Sequence, residues 1–151
     1  MFRDITQEDK SVFLEMAEQF YSSTAVAHYV DIRLLEATFD AALSKSPFVR
    51  ALMIEDNGAP VGFALLSFSF ATEVGGPVVL LEDLYISEAC RGKGVGSSFM
   101  QFVEREYPAA KRFRLEVAEG NRKAIDLYKR LGYRTLGYIQ MVKDVDPFAP
   151  A

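Results

Sequence analysis

Cysteine is almost absent. Cys90 is the only one in 151 residues, which excludes an intramolecular disulfide and fits a reducing, cytoplasmic setting. Histidine is as scarce, with His28 alone, so neither a metal site nor a histidine-activated cysteine nucleophile is expected. No apolar run reaches the roughly 18 to 20 residues of a membrane helix. The opening Met1-Phe2-Arg3-Asp4 lacks the apolar core of a signal peptide. Basic residues are outnumbered, for a net charge of −4, which argues against a nucleic-acid partner.

What is present is a globular composition, 50% apolar and 25% charged, in a chain long enough to bury a core. The charge is unevenly spread. Residues 1–90 carry −9 and residues 91–134 carry +6. This split suggests an anion for the later segment and a cation for the earlier one.

The pattern predicts a strand over residues 2–6, with Thr6 and Asp9 capping a helix that runs to about Tyr21. Asp31 caps a second helix that ends before Pro47. Strands follow at 49–55 and 59–70 around the hairpin turn Asp56-Asn57-Gly58, then at 78–86 after Gly75-Gly76-Pro77. A helix over 94–106, a strand over 113–117 and a helix from Asn121 to the stop at Gly132 come next. Tyr133 to Lys143 reads as one or two closing strands bent at Gly137, and 147–151 as a loose tail after a single domain, 1–146. The order gives an α/β sandwich, a mixed sheet covered by helices, antiparallel early with a later parallel pair.

Arg91-Gly92-Lys93-Gly94-Val95-Gly96 lies between a strand and a helix. A helix start presents unpaired N–H groups and the positive end of its dipole, and glycines let an oxyanion approach. Arg91 and Lys93 add charge at the rim, and Ser97 and Ser98 add hydroxyls. The run fails the Walker pattern, and it fails the dinucleotide fingerprint at the third glycine. A glycine turn that binds nothing stays open on this evidence alone.

Context adds to it. Leu81-Glu82-Asp83-Leu84-Tyr85-Ile86 followed by the glycine run resembles motif A of the GNAT superfamily of N-acetyltransferases. Leu115-Glu116-Val117 leading to Asn121-Arg122-Lys123-Ala124-Ile125-Asp126-Leu127-Tyr128 resembles its motif B. The resemblance implies a mostly antiparallel sheet with a V-shaped splay between the fourth and fifth strands, and acetyl-CoA as cosubstrate. Leu84, Tyr85 and Ile86 would pair with pantetheine, and Arg91, Gly92, Lys93, Gly94, Val95, Gly96 and Ser97 would hold the pyrophosphate. Asn121 and Lys123 would contact the cofactor, and Tyr128 would protonate the departing thiolate. A homodimer is expected on the same ground.

For the acceptor, the resemblance makes Glu82 the base, acting through water, and a regular strand would turn Asp83 to the opposite face. Tyr21, His28 and Tyr29 are candidates to line the acceptor pocket. The acidic first 90 residues point to a cationic small amine, such as a polyamine, an aminoglycoside or a lysine-like amine, attacking directly in a ternary complex. A protein N-terminal or lysine acetyltransferase, or a non-catalytic acyl-CoA-binding module, remain the alternatives.

Overall fold

Alternation along the middle strands places apolar residues on both faces, and helices cover both. The computed structural model describes residues 1–149. The chain runs β1 (Phe2–Asp4), α1 (Lys10–Tyr21), α2 (Ile32–Leu43), β2 (Val49–Asp56), β3 (Ala59–Ala71), β4 (Gly76–Ile86), α3 (Val95–Glu106), β5 (Arg112–Leu115) and α4 (Arg122–Arg130). Short 3-10 turns sit at Gln7–Asp9 and Glu88–Cys90. The sheet order is β1-β2-β3-β4-β5, with β5 alone parallel to its neighbour. No helix among the described residues is long and apolar enough to cross a membrane.

One face packs under α1 and α2, where Phe13 and Phe39 meet Ala51, Met53, Phe63 and Leu65. The other packs under α3, where Phe99, Met100 and Val103 meet Leu52, Ile54, Ala64 and Leu66. Adjacent residues of β2 and β3 therefore serve opposite cores, which is why these strands read as unbroken apolar runs. Phe13, Phe39, Phe63 and Phe99 are fully buried. Each such ring stabilises the fold by about 1.5–3 kcal/mol through burial alone.

Local signals shape the ends. Thr6 and Asp9 form the expected capping box, although Gln7–Asp9 is a 3-10 turn and α1 proper starts at Lys10. Asp31 caps α2 by accepting from the Arg33 N–H at 2.9 Å. Asn57 and Gly58, at φ 50° and 79°, turn β2 into β3 as the Asn-Gly pair predicts. Arg3 clamps the first strand to this scaffold, donating to Asp9 at 2.7 Å and to Glu55 at 2.7 Å. That guanidinium, aided by hydrogen bonds from Thr6, holds the Asp9 carboxyl down at about 2.

Two expectations fail. β5 spans Arg112–Leu115 rather than 113–117. Tyr133 to Lys143 forms no strand: among the described residues its one main-chain hydrogen bond runs from the Tyr133 N–H back to the Tyr128 carbonyl at 3.0 Å, and none joins the segment to the sheet. At the start of the expected tail, Phe148 donates its N–H to Asp146, the last residue of the expected domain, at 2.9 Å, and residues 150 and 151 lie outside the described residues.

Candidate active site

β4 carries one residue more than its neighbour allows for. Leu65 pairs with Asp83 and Leu66 with Leu81, so Glu82 has no partner and forms a β-bulge. The bulge resets the alternation. Before it, Val79 and Leu81 pack on the α3 side, and after it Tyr85 packs on the α1–α2 side. Glu82 and Asp83 consequently share the α1–α2 face, not opposite faces as a regular strand would have them.

The partners show this directly. The exposed Glu82 accepts from Ser67 Oγ at 2.6 Å, and Ser67 follows the same alternation as Phe63 and Leu65. Asp83 is buried and accepts from Tyr21 Oη at 2.7 and 2.8 Å. Gln19, two residues earlier on α1, accepts from Tyr85 Oη at 2.6 Å. Burial, helped by the charge on Glu82 and opposed by the Tyr21 hydroxyl, pushes Asp83 up to about 6. Burial and the same two carboxylates push the Tyr21 phenol well above its ordinary range.

The bulge also marks where the sheet opens. β5 runs beside β4 only from Val78 to Leu81, so β4 continues through Leu84, Tyr85 and Ile86 with no strand on that side among the described residues. This is the V-shaped splay. Its open main-chain edge offers N–H and C=O groups to an extended ligand. Arg91 occupies one of them, donating from Nε to the Ile86 carbonyl at 2.7 Å.

The glycine run enters α3 just beyond. Gly92 and Gly94 sit at φ 75° and 81°, and no atom lies within 4 Å of where a Cβ would stand. Only glycine takes that backbone readily, and the space stays open for a ligand. Gly94 is the N-cap and makes no side-chain cap, so the first-turn N–H groups of Val95, Gly96 and Ser97 remain available. The donor set fits an oxyanion such as a pyrophosphate. Lys93 is exposed at the rim.

On α4, Asn121 accepts from the Ala124 N–H at 3.3 Å, which starts the helix and leaves its amide NH₂ as a donor. Lys123 is exposed. Tyr128 is half-buried on the α3 side, its ring 5.9 Å from that of Tyr133. Burial raises its phenol, so it is a neutral proton donor near pH 7.

The structure thus brings Tyr21 and Glu82 together, and leaves His28 and Tyr29 exposed on an irregular connection without hydrogen bonds among the described residues. Asp83, expected on the opposite face, lies beside Glu82 as well. No signal in the sequence reveals it, because its direction depends on the register with β3.

The match to known proteins is extensive. The model of the acetyltransferase (GNAT) family fits residues 10–133. A thialysine N-epsilon-acetyltransferase of Sus scrofa is 31% identical over 146 residues, covering 90% of this chain and 85% of that protein. The crystal structure of a possible acetyltransferase from Clostridium difficile 630 superposes with TM-score 0.82 at 15% identity, over 96% of this chain and 97% of that one. The aminoglycoside N-acetyltransferase AAC(6')-Iy in complex with CoA superposes with TM-score 0.77 at 15% identity, over 95% and 93%. Sequence motifs, fold and similarity converge: the chain belongs to the acetyltransferase (GNAT) family and is an acyltransferase of that family.

Proposed function

We propose that the protein transfers acetyl from acetyl-CoA to a primary amine on a cationic small molecule. The carrying observation is the bulge at Glu82, which places two carboxylates on one face exactly where the sheet splays open. Such a pair attracts an ammonium group and offers a place for its proton. Thialysine and aminoglycosides, named for the similar proteins, are both amines, which supports this acceptor class.

Acetyl-CoA supplies an acyl group activated as a thioester. The residues of the chain do the rest. The loop from Arg91 to Ser97 holds the pyrophosphate on the α3 N-terminus, the open edge at Leu84, Tyr85 and Ile86 aligns pantetheine, and Asn121 and Lys123 grip the cofactor from α4. The acceptor arrives as an ammonium with a pKa near 10.4 and passes a proton through water to Glu82. Its nitrogen then forms the amide bond as the carbon–sulfur bond breaks, and its second proton leaves to solvent water. Tyr128 gives its proton to the departing sulfur and regains one from solvent. Asp83 keeps negative charge beneath the acceptor, and Tyr21 holds that carboxylate in place.

Thiol release measured across polyamines, aminoglycosides, lysine analogues, neutral amines and peptides tests this reading. Cationic small amines should lead. A preference for neutral amines or for peptide N-termini would overturn it, and CoA binding without turnover on any amine would identify a binding module instead.

A further inference from the structure

The basic stretch of the chain carries more cations than the proposed reaction uses. Residues 91–134 hold a net +6, of which the glycine loop and α4 commit Arg91, Lys93 and Lys123 to the cofactor. Several of the others surround a cavity of about 810 Å³ between β5, α4 and the segment that follows α4. That volume lies within the roughly 300–1,000 Å³ of small-molecule sites. Neither Glu82 nor any residue of the glycine loop lines it.

Two kinds of wall meet in this cavity. Phe113, Leu115, Ile125, Leu131 and Leu136 give it an apolar surface, and each of them is only partly buried. Lys111, Arg112, Arg114, Lys129 and Arg134 stand against Glu104 and Glu116, so the lining is net positive. Arg112 is engaged with Glu73 at 2.9 Å, and Arg134 helps to hold the same carboxyl low. Lys111, Arg114 and Lys129 make no ion pair among the described residues. Tyr128 and Tyr133 line the same space with their rings 5.9 Å apart.

This combination selects a ligand class. An inorganic anion would leave the apolar wall wet, and a neutral apolar molecule would leave the cations unused. An amphipathic anion satisfies both.

We propose that the cavity is a second binding site, for a small organic carboxylate with an apolar body, such as a medium-chain fatty acid. The carboxylate accepts charge-assisted hydrogen bonds at the rim that carries Arg114 and Lys129. The chain covers Leu115, Ile125 and Leu131 and shields Tyr128 from water. Because Tyr128 regains its proton from solvent in the proposed reaction, an occupied cavity slows turnover. That coupling rests on the proposed function, whereas the binding does not.

Isothermal titration calorimetry of the full chain tests the site, with hexanoate, octanoate and decanoate as probes and decanol as the neutral control. One decanoate should bind per chain, equally with and without saturating CoA. Affinity should rise by up to about fourfold for each added methylene. Decanol should bind at least about tenfold more weakly, and so should decanoate to a chain carrying both Arg114→Gln and Lys129→Gln. A flat series, decanol equal to decanoate, an unweakened double variant or displacement by CoA each overturns the proposal.

Placement has its own readout. The chain has no tryptophan, so Leu136→Trp supplies a lone reporter whose emission should move to the blue as decanoate saturates. Heat of binding without that shift puts the anion elsewhere and overturns the site. If this variant unfolds, the methyl resonances of Ile125 and Leu131 in the wild type report the contact instead. With an amine that is acetylated, decanoate should lower kcat and leave KM for acetyl-CoA in place, and an unchanged kcat refutes the coupling. A protein inactive on every amine would refute the acetyl-transfer reading, while the titrations judge the site without turnover.

Discussion

Tyr21 at the end of α1 donates its hydroxyl to both oxygens of Asp83 on β4, at 2.7 and 2.8 Å. The bond spans 62 positions of sequence and fastens the acceptor side of the molecule to the residue just past the bulge. It leaves the carboxylate buried, with Glu82 as its charged neighbour.

That burial carries a pH signature. Asp83 titrates at about 6 in the fold, above the roughly 3.9 of a free aspartate. Between these values the native state holds more protons than the unfolded chain, so stability falls as pH rises through that window. Asp83→Asn keeps an acceptor for Tyr21 and removes the charge. Chemical denaturation should find the variant close to wild type at pH 4 and more stable at pH 8, by at most about 3 kcal/mol. Equal differences at both pH values would show that Asp83 is not the group titrating. For a cationic acceptor, kcat/KM should lose the limb near pH 6 in this variant.

Tyr128→Phe removes the proton donor and keeps the ring. Turnover should fall about 100-fold, within the range typical of a lost general acid, while calorimetry gives the same affinity for CoA within about twofold. Unchanged turnover would return Tyr128 to a packing role on the α3 side.

Gly94→Ala tests the anion loop. No atom blocks a methyl group there, so the penalty is backbone strain at φ 81°, about 1–2 kcal/mol. The loop should relax to a less left-handed form and turn its N–H groups away. KM for acetyl-CoA should then rise severalfold with kcat little changed, and a steady KM would separate the loop from the phosphates.

Asp9→Asn tests the N-terminal clamp. Arg3 depresses the Asp9 carboxyl to about 2, so its stabilisation is complete above pH 4 and is lost as pH falls through 2. Allowing for the partly exposed Arg3, urea titration at pH 7 should show a loss of about 1–2 kcal/mol. The loss should shrink in acid, and a loss independent of pH would point to packing instead.

Part of this molecule is written in short stretches of chain. The Thr6–Asp9 box, the Asp31 and Asn121 caps, the Asn57-Gly58 turn and the glycine entry to α3 each need only a few neighbouring residues. Their chemistry is local, and each appears where the sequence places it. The apolar runs of β2 and β3 likewise require burial on both faces, whatever packs there.

The acceptor face belongs to the tertiary structure. A bulge exists only relative to a neighbouring strand, so the shared face of Glu82 and Asp83 is a property of the register between Leu65, Leu66 and β4. The Tyr21 contact depends on that register and on the path of α1. The segment from Tyr133 to Lys143 makes the same point in reverse. Its residues favour a strand, but a strand needs a partner for its hydrogen bonds, and none is supplied among the described residues. The sequence by itself determined the family, the glycine loop and the caps, because neighbouring residues suffice to build them. Only the packed sheet decided which carboxylates meet and which edge stays open, because both depend on contacts between distant parts of the chain.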